Sequence, residues 1–351
     1  MKKIATILLL MICSVALKAE NSESAQGQDN GSFRIKDFIF GHIANDYEFH
    51  ITDIGKDQIS VPLPVIVRNK NGRWFFFMSS KFHHKHESYN GFHIASEGKY
   101  SGQIVETLSD GSEYRPVDLS ITKNVFTILL TVTLLSILFI SIRKRYTSDP
   151  LRKPKGFQAL LEPVILFVTE DIAKAAIGKG YEKYTSFLLT MFFLILTLNF
   201  TGLIPIFPFG ANVTGNINVT AALALCTFTV TMISTTKAYW HHKLWTPGVP
   251  LLLKAPMPLM PMVEIISIFT GPLALVIRLF ANILSGHMVV TVLLGLIFVF
   301  SSLGALIDSF ISVIAIVFSI FMMILDVLVS FIQAYVFTLL SALYFASAKE
   351  G

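Results

Sequence analysis

Polar and apolar residues are interspersed through the first third of this chain; in the rest, apolar residues run in long stretches with few interruptions. The opening segment, MKKIATILLLMICSVALKA, sets Lys2 and Lys3 before an apolar core of about 14 residues, with small residues at Ala16 and Ala19. That is the shape of a secretory signal peptide over 1–19, shorter than the ~20 residues a helix needs to cross a bilayer. An uncleaved anchor is the competing reading. Residues 20–120 then turn polar. NSESAQGQDNGS reads as a flexible segment. ISVPLPVIVRNKNGRWFFFMSSKF carries β-branched and aromatic runs on both sides of Asn71-Gly72, a hairpin signal. The pattern predicts a small β-rich extracytoplasmic N-terminal region ahead of a membrane domain over 121–351.

From residue 121 onward the apolar runs reach membrane length. They predict spans at about 121–142, 184–204, 219–239, 263–300 and 307–346. The first is followed by Arg143, Lys144 and Arg145, then Arg152, Lys153 and Lys155, so this connection is placed in the cytoplasm. GFQALLEPVILFVTEDIAKAAIG mixes Glu162, Glu170, Asp171 and Lys174 with apolar residues. It predicts an amphipathic helix over about 156–178 along the cytoplasmic face. PIFPFGANVTGNIN is uncharged, as an outer connection should be, and WHHKLW after the third span is basic again. TPGVPLLLKAPMPLMP holds too much proline for one regular helix. The last two runs exceed the bilayer thickness and must tilt or kink, with SSLGALIDS and its Gly304 as the turn between them. The expected fold class is an all-α polytopic membrane protein with a long tilted C-terminal helix hairpin. Its N-terminus lies outside and its C-terminus in the cytoplasm.

Composition agrees with that class. Of 351 residues 53% are hydrophobic and 15% charged, with a mean hydropathy of +0.63, which excludes an ordinary soluble domain. The net charge of +5 is informative only through its distribution, so no nucleic-acid partner is inferred. Cys13 and Cys226 imply no disulfide framework, and Ile12 argues against lipidation at Cys13. His83, His84 and His86 could hold a metal, but they have no partner cluster at ligand spacing and read as a solvated loop. No cofactor or metal is expected. The chain has neither a G-x-x-x-x-G-K-[ST] phosphate loop nor an H-E-x-x-H motif.

The final two spans are unusual for their polar residues: Glu264, Ser267, Arg278, Asn282, His287, Asp326 and Gln333. A central Arg or Asp costs at least ~2.5–3.5 kcal/mol against lipid, so each needs an internal partner or a function. Glu264 and Arg278 are about 40° from eclipsed and ~21 Å apart along the helix axis, and Arg278 with Asn282 is an i,i+4 pair. In an antiparallel hairpin, facing residues have a nearly constant sum of residue numbers. That sum is 611 for Arg278 with Gln333 and 613 for His287 with Asp326, so one register serves both pairs. A His–Asp pair in a membrane can pass protons, or can stand as a static buried ion pair. Glu264 is either a second titratable station or an interfacial group reaching for water. Asn282 and Gln333 can equally serve as interhelical hydrogen-bonding contacts. Arg278 cannot usefully lose its proton. It can attract an anion, repel a cation or block proton leakage. Such a path consists of two halves joined by an acidic carrier on another protein.

GPLALVIRLFANILSGH, FIQAYVFTLLSALYFASA and NFTGLIPIFPFGANVTGNINVTAALAL resemble subunit a of F-type ATP synthases, over roughly Gly156 to the C-terminus. The resemblance implies a non-catalytic proton-conducting stator subunit of the CF(0) sector in a bacterial inner membrane. It would work against the c-subunit ring, beside the b-subunit peripheral stalk and the rest of the F1Fo complex. It makes Arg278 the essential arginine facing the ring, with Asn282 and Gln333 as its polar neighbours. Glu264 and Ser267 fall in the cytoplasmic half-channel, and His287 and Asp326 in the outer one. In some bacterial relatives the acid and the histidine occupy each other's positions. The N-terminal region is not needed by the family core. Neither proton nor sodium coupling is fixed by the sequence, although the lack of an oxygen-ligand cluster favours protons. A proton-coupled secondary transporter is the alternative, which would call for a matching second repeat. An intramembrane hydrolase would need a nucleophile–base pair or metal motif that the chain lacks.

Overall fold

The computed structural model describes residues 45–54, 57–82, 88–95, 100, 102–108, 112–148, 156–204, 208–237, 239–240, 259–300 and 305–350. The signal-like segment, Cys13, the His83–His86 cluster and Gly304 lie outside the described residues. The structure has the predicted class: among the described residues, a β-rich region precedes five helices long and apolar enough to cross a membrane.

In the β region, β1 (Glu48–Ile54) pairs antiparallel with β2 (Asp57–Pro62). β3 (Pro64–Arg68) is flanked by β4 (Trp74–Met78) and, through a two-residue ladder, by β8 (Val117–Asp118). β5 (Phe92–Ile94), β6 (Ile104–Thr107) and β7 (Glu113–Tyr114) form a separate sheet. The hairpin signal at Asn71-Gly72 is the β3–β4 turn. The Gly72 N–H donates to the Asn69 carbonyl at 3.0 Å and Gly72 takes φ 81°, a three-residue loop closed by a left-handed glycine. Strand alternation turns Val65 and Val67 inward onto Phe82, Phe92 and Ile104.

This region is fastened directly to the first membrane helix, α1 (Lys123–Ser148). The Ile121 and Lys123 N–H groups donate to the carbonyls of Pro64 at 3.0 Å and Asp46 at 2.9 Å. The Phe49 ring meets Phe126 of α1 edge-on, with centroids 5.6 Å apart.

After α1 comes α2, which begins at Phe157–Leu166, widens into a π-helical stretch over Phe167–Lys174 and closes with Ala175–Ile177. Pro163, which has no N–H to donate, sits one turn ahead of the wider winding. Val168, Ile172 and Ala173 are buried against the bundle, while Glu170 and Lys174 pair at i,i+4 on the exposed side. The hydrogen bond and charge of Glu170 hold the Lys174 ammonium above its ordinary pKa.

The bundle is built around α3 (Glu182–Leu203), whose Leu188, Met191, Phe192 and Ile195 are fully buried. α4 (Ile217–Ser234) starts at Asn216, whose side chain accepts the Asn218 N–H. It stops short of the predicted residue 239 because Thr235 turns extended, with ψ 142°. α5 (Leu259–Phe300) and α6 (Ala305–Glu350) form the long hairpin, with 42 and 46 residues. At 1.5 Å per residue they run to roughly 63 and 69 Å, about twice the ~30 Å hydrocarbon core. Gly271-Pro272 lies inside α5 without ending it. α6 offers the bundle a row of fully buried small residues, Ser330, Ala334, Thr338, Ser341 and Ala342. Small side chains let helices approach closely where lipid supplies no hydrophobic drive. The Thr338 and Ser341 hydroxyls donate back to the carbonyls of Ala334 and Phe337.

Candidate functional site

Two close contacts fix the α5–α6 register. A Cβ on Gly286 would stand 3.0 Å from the Asp326 carboxyl carbon, and one on Gly271 would stand 2.8 Å from the Tyr344 hydroxyl. The residue numbers sum to 612 and 615, so the hairpin pairs within a few residues of the register derived from the polar positions. Directly against the Asp326 carboxyl is Gly286. Its neighbour His287 is helical, and the His287 side chain lies outside the described part. The missing side chain at Gly286 is what leaves room for the carboxyl between the helices.

Arg278, Asn282 and Ser267 are exposed and Glu264 is half-buried. With Ser285, also exposed, they fall within an arc of about 60° on α5, at 100° per residue. One exposed polar stripe therefore runs along this helix, and exposed Leu273 and Ile277 lie on another side of it. Among the described residues, no carboxylate lies within ion-pair distance of Arg278. Gln333, the expected neighbour, is buried at 5% exposure, whereas Arg278 is exposed, and no hydrogen bond joins them among the described residues. The Arg278 charge reaches the Tyr344 phenol of α6.

Below Arg278, towards the N-terminal end of α5, lies a cavity of about 140 Å³. Its polar lining comes from Ser267 of α5, Thr227 and Thr231 of α4, and Tyr344 and Ser347 of α6. Ser267 and Tyr344 thus meet one space, with Glu264 one turn beyond Ser267.

Toward the other end, Asp326 is half-buried and Ser330 follows it on the same face of α6. Asn199 of α3 reaches the Ser330 carbonyl at 3.4 Å and accepts from the Thr214 hydroxyl at 2.7 Å. Among the described residues, the Ser330 Oγ and Asn212 Nδ2 have no hydrogen-bond partner and are buried. Unpaired buried polar atoms at such a site fit bound water. Asn199, Thr214, Ser330 and Tyr344 are absent from the sequence-derived set. An Asn inside an otherwise apolar span was a readable signal for the first of them. For the others the signal exists only in three dimensions.

A family model described as ATP synthase A chain matches residues 125–346. A second model, for a domain of unknown function, matches residues 38–123, which includes the β region. The ATP synthase subunit a of Chlorobium phaeobacteroides (strain DSM 266) is 41% identical over 250 residues, covering 66% of this chain and 67% of that one. Its counterpart in Chloroherpeton thalassium is 39% identical over 244 residues, covering 66% and 67%. That of Myxococcus xanthus is 39% identical over 251 residues, covering 69% and 76%.

Proposed function

This chain belongs to the ATP synthase A chain family, and from that premise we propose that it is the proton-conducting stator subunit of a rotary ATP synthase, with two offset half-channels against a ring of c subunits. The observation that carries the reading is the exposed polar stripe on α5. It holds a permanent cation, Arg278, with no ion-pair partner among the described residues. A guanidinium in that position is stabilised by an anion from outside the chain, and a rotor carboxylate supplies one.

Protons enter from the outer side past His287 and Asp326, near the Asn199–Thr214–Ser330 cluster, and neutralise a rotor carboxylate. The neutral carboxylate can then turn into lipid. An incoming carboxylate on the other side of Arg278 gives its proton to the cavity at Ser267 and Tyr344, and from there toward Glu264. Asn282 and Gln333 act as polar neighbours of the arginine. Arg278 favours the ionised carboxylate and, because it keeps its own proton, separates the two halves. Each charge moved through 100 mV is worth ~2.3 kcal/mol, so several transfers must be coupled to one costly phosphorylation. The nucleotide chemistry belongs to other subunits, and the peripheral stalk holds this one still. The chain is placed in the bacterial inner membrane with the β region outside and the end of α6 in the cytoplasm.

The test is ATP-driven proton pumping in inverted vesicles carrying Arg278→Ala, with assembly checked. Loss of pumping together with a passive proton leak is expected. Normal coupled pumping would sink the barrier role.

A further inference from the structure

A recess at the basic end of α1 is separate from the proton path. Ile142 and Tyr146 of α1 and Gln158, Glu162, Ile165 and Leu166 of α2 line a cavity of about 220 Å³. Gln158 is buried at 9% exposure, and Glu162 lies one turn later on the same side. The Glu162 Oε2 is buried with no hydrogen-bond partner, and no cation lies within ion-pair distance of it among the described residues. An unpaired carboxylate oxygen in aliphatic surroundings is costly, so a partner beyond the described residues is expected.

The surroundings define that partner. The flank beside the recess is apolar: Leu166 of its lining is exposed, and Ile142 and Ile165 are half-buried. A ligand reaching Glu162 along this flank lies in the membrane. The turn of α1 that borders Ile142 and Tyr146 carries the exposed cations Arg143 and Arg145, which suit a phosphate at headgroup depth. A carboxylate recess beside a cationic turn complements a zwitterion: ammonium to the acid, phosphate to the bases. The carboxylate and the Gln158 amide oxygen accept hydrogen bonds. A primary ammonium has three N–H donors to offer, and a quaternary one has none. We propose that this recess binds the headgroup of a primary-amine phospholipid, with its ammonium on Glu162 and its phosphate on the Arg143–Arg145 turn.

The experiment uses the assembled complex in mixed vesicles. It compares phosphatidylethanolamine with phosphatidylcholine of the same acyl chains, each carrying an acyl-chain diazirine. Photolabelling of the 157–177 segment is then mapped by mass spectrometry. Phosphatidylethanolamine is expected to label it about fivefold more strongly, as one modest charged hydrogen bond allows. Glu162→Gln should bring labelling down to the phosphatidylcholine level. Competition by unlabelled phosphatidylethanolamine, but not phosphatidylcholine, is expected in the unaltered complex and needs no variant. Equal labelling by both lipids, competition by both, or unchanged labelling in Glu162→Gln would overturn the proposal. So would a photo-crosslinker at Tyr146 that captures another subunit instead of lipid.

Discussion

At the residue scale the decisive feature is how little separates α5 from the Asp326 carboxyl. Gly286 leaves a gap that the carboxyl fills, and even a methyl there would stand 3.0 Å from the carboxyl carbon. Gly286→Ala therefore forces Asp326 off its rotamer. We expect ATP-driven pumping to slow by about two- to tenfold, the range that ~0.5–1.5 kcal/mol of side-chain strain produces, with assembly intact. An unchanged rate in vesicles would mean that the carboxyl is not held where proton transfer needs it. Asn199 makes a different prediction, because its bonds join α3 both to α6 and to the α3–α4 connection. Asn199→Val should lower the stability of the folded subunit by about 0.5–2 kcal/mol in detergent unfolding, the range seen for hydrogen bonds between membrane helices.

At the scale of elements, the hairpin of α5 and α6 carries the site, and its register is testable directly. A Cβ at Gly286 lies close enough to Asp326 for a disulfide, which needs Cβ atoms roughly 3.5–4.5 Å apart. With Cys13 and Cys226 replaced, Gly286→Cys with Asp326→Cys should cross-link readily on mild oxidation. Phe280→Cys with Asp326→Cys, nearly two turns away along α5, should not; cross-linking of both pairs would contradict a fixed register. The register was legible in the sequence because the polar residues are few and share one sum of residue numbers. The neighbour of Arg278 was not. Sequence symmetry sets Gln333 opposite it, and in the structure Gln333 is buried, Arg278 is exposed and no hydrogen bond joins them among the described residues. The π-helical winding of α2 was equally hidden, since it depends on which residues the bundle accepts as buried.

For the whole molecule, the β region and the membrane helices are joined through short backbone hydrogen bonds at the start of α1. This fixes the β region on one side of the membrane. A cysteine at Ser112, in the β region, should react with a membrane-impermeant maleimide added outside intact cells. A cysteine at Lys349, near the end of α6, should react only in inverted vesicles. Labelling of both from the same side would overturn the proposed orientation. The spans themselves were readable along the chain because each apolar run answers to lipid alone, whatever its neighbours do.

The sequence by itself determined the membrane class, the β-rich start, the long hairpin and the choice of Glu264, Ser267, Arg278, Asn282, His287, Asp326 and Gln333 as the residues to explain. Local hydropathy and residue chemistry suffice for these, since the cost of a polar group in lipid is paid where it stands. Only the tertiary structure decided which polar groups share a face and which are exposed. It also supplied Tyr344, the Asn199–Thr214–Ser330 cluster and the Glu162 recess. Asn199 and Ser330 are 131 residues apart in the chain, and Glu162 is isolated only because α1 and α2 close around it. Contacts of that kind follow from how helices pack, and no periodicity within one segment encodes them.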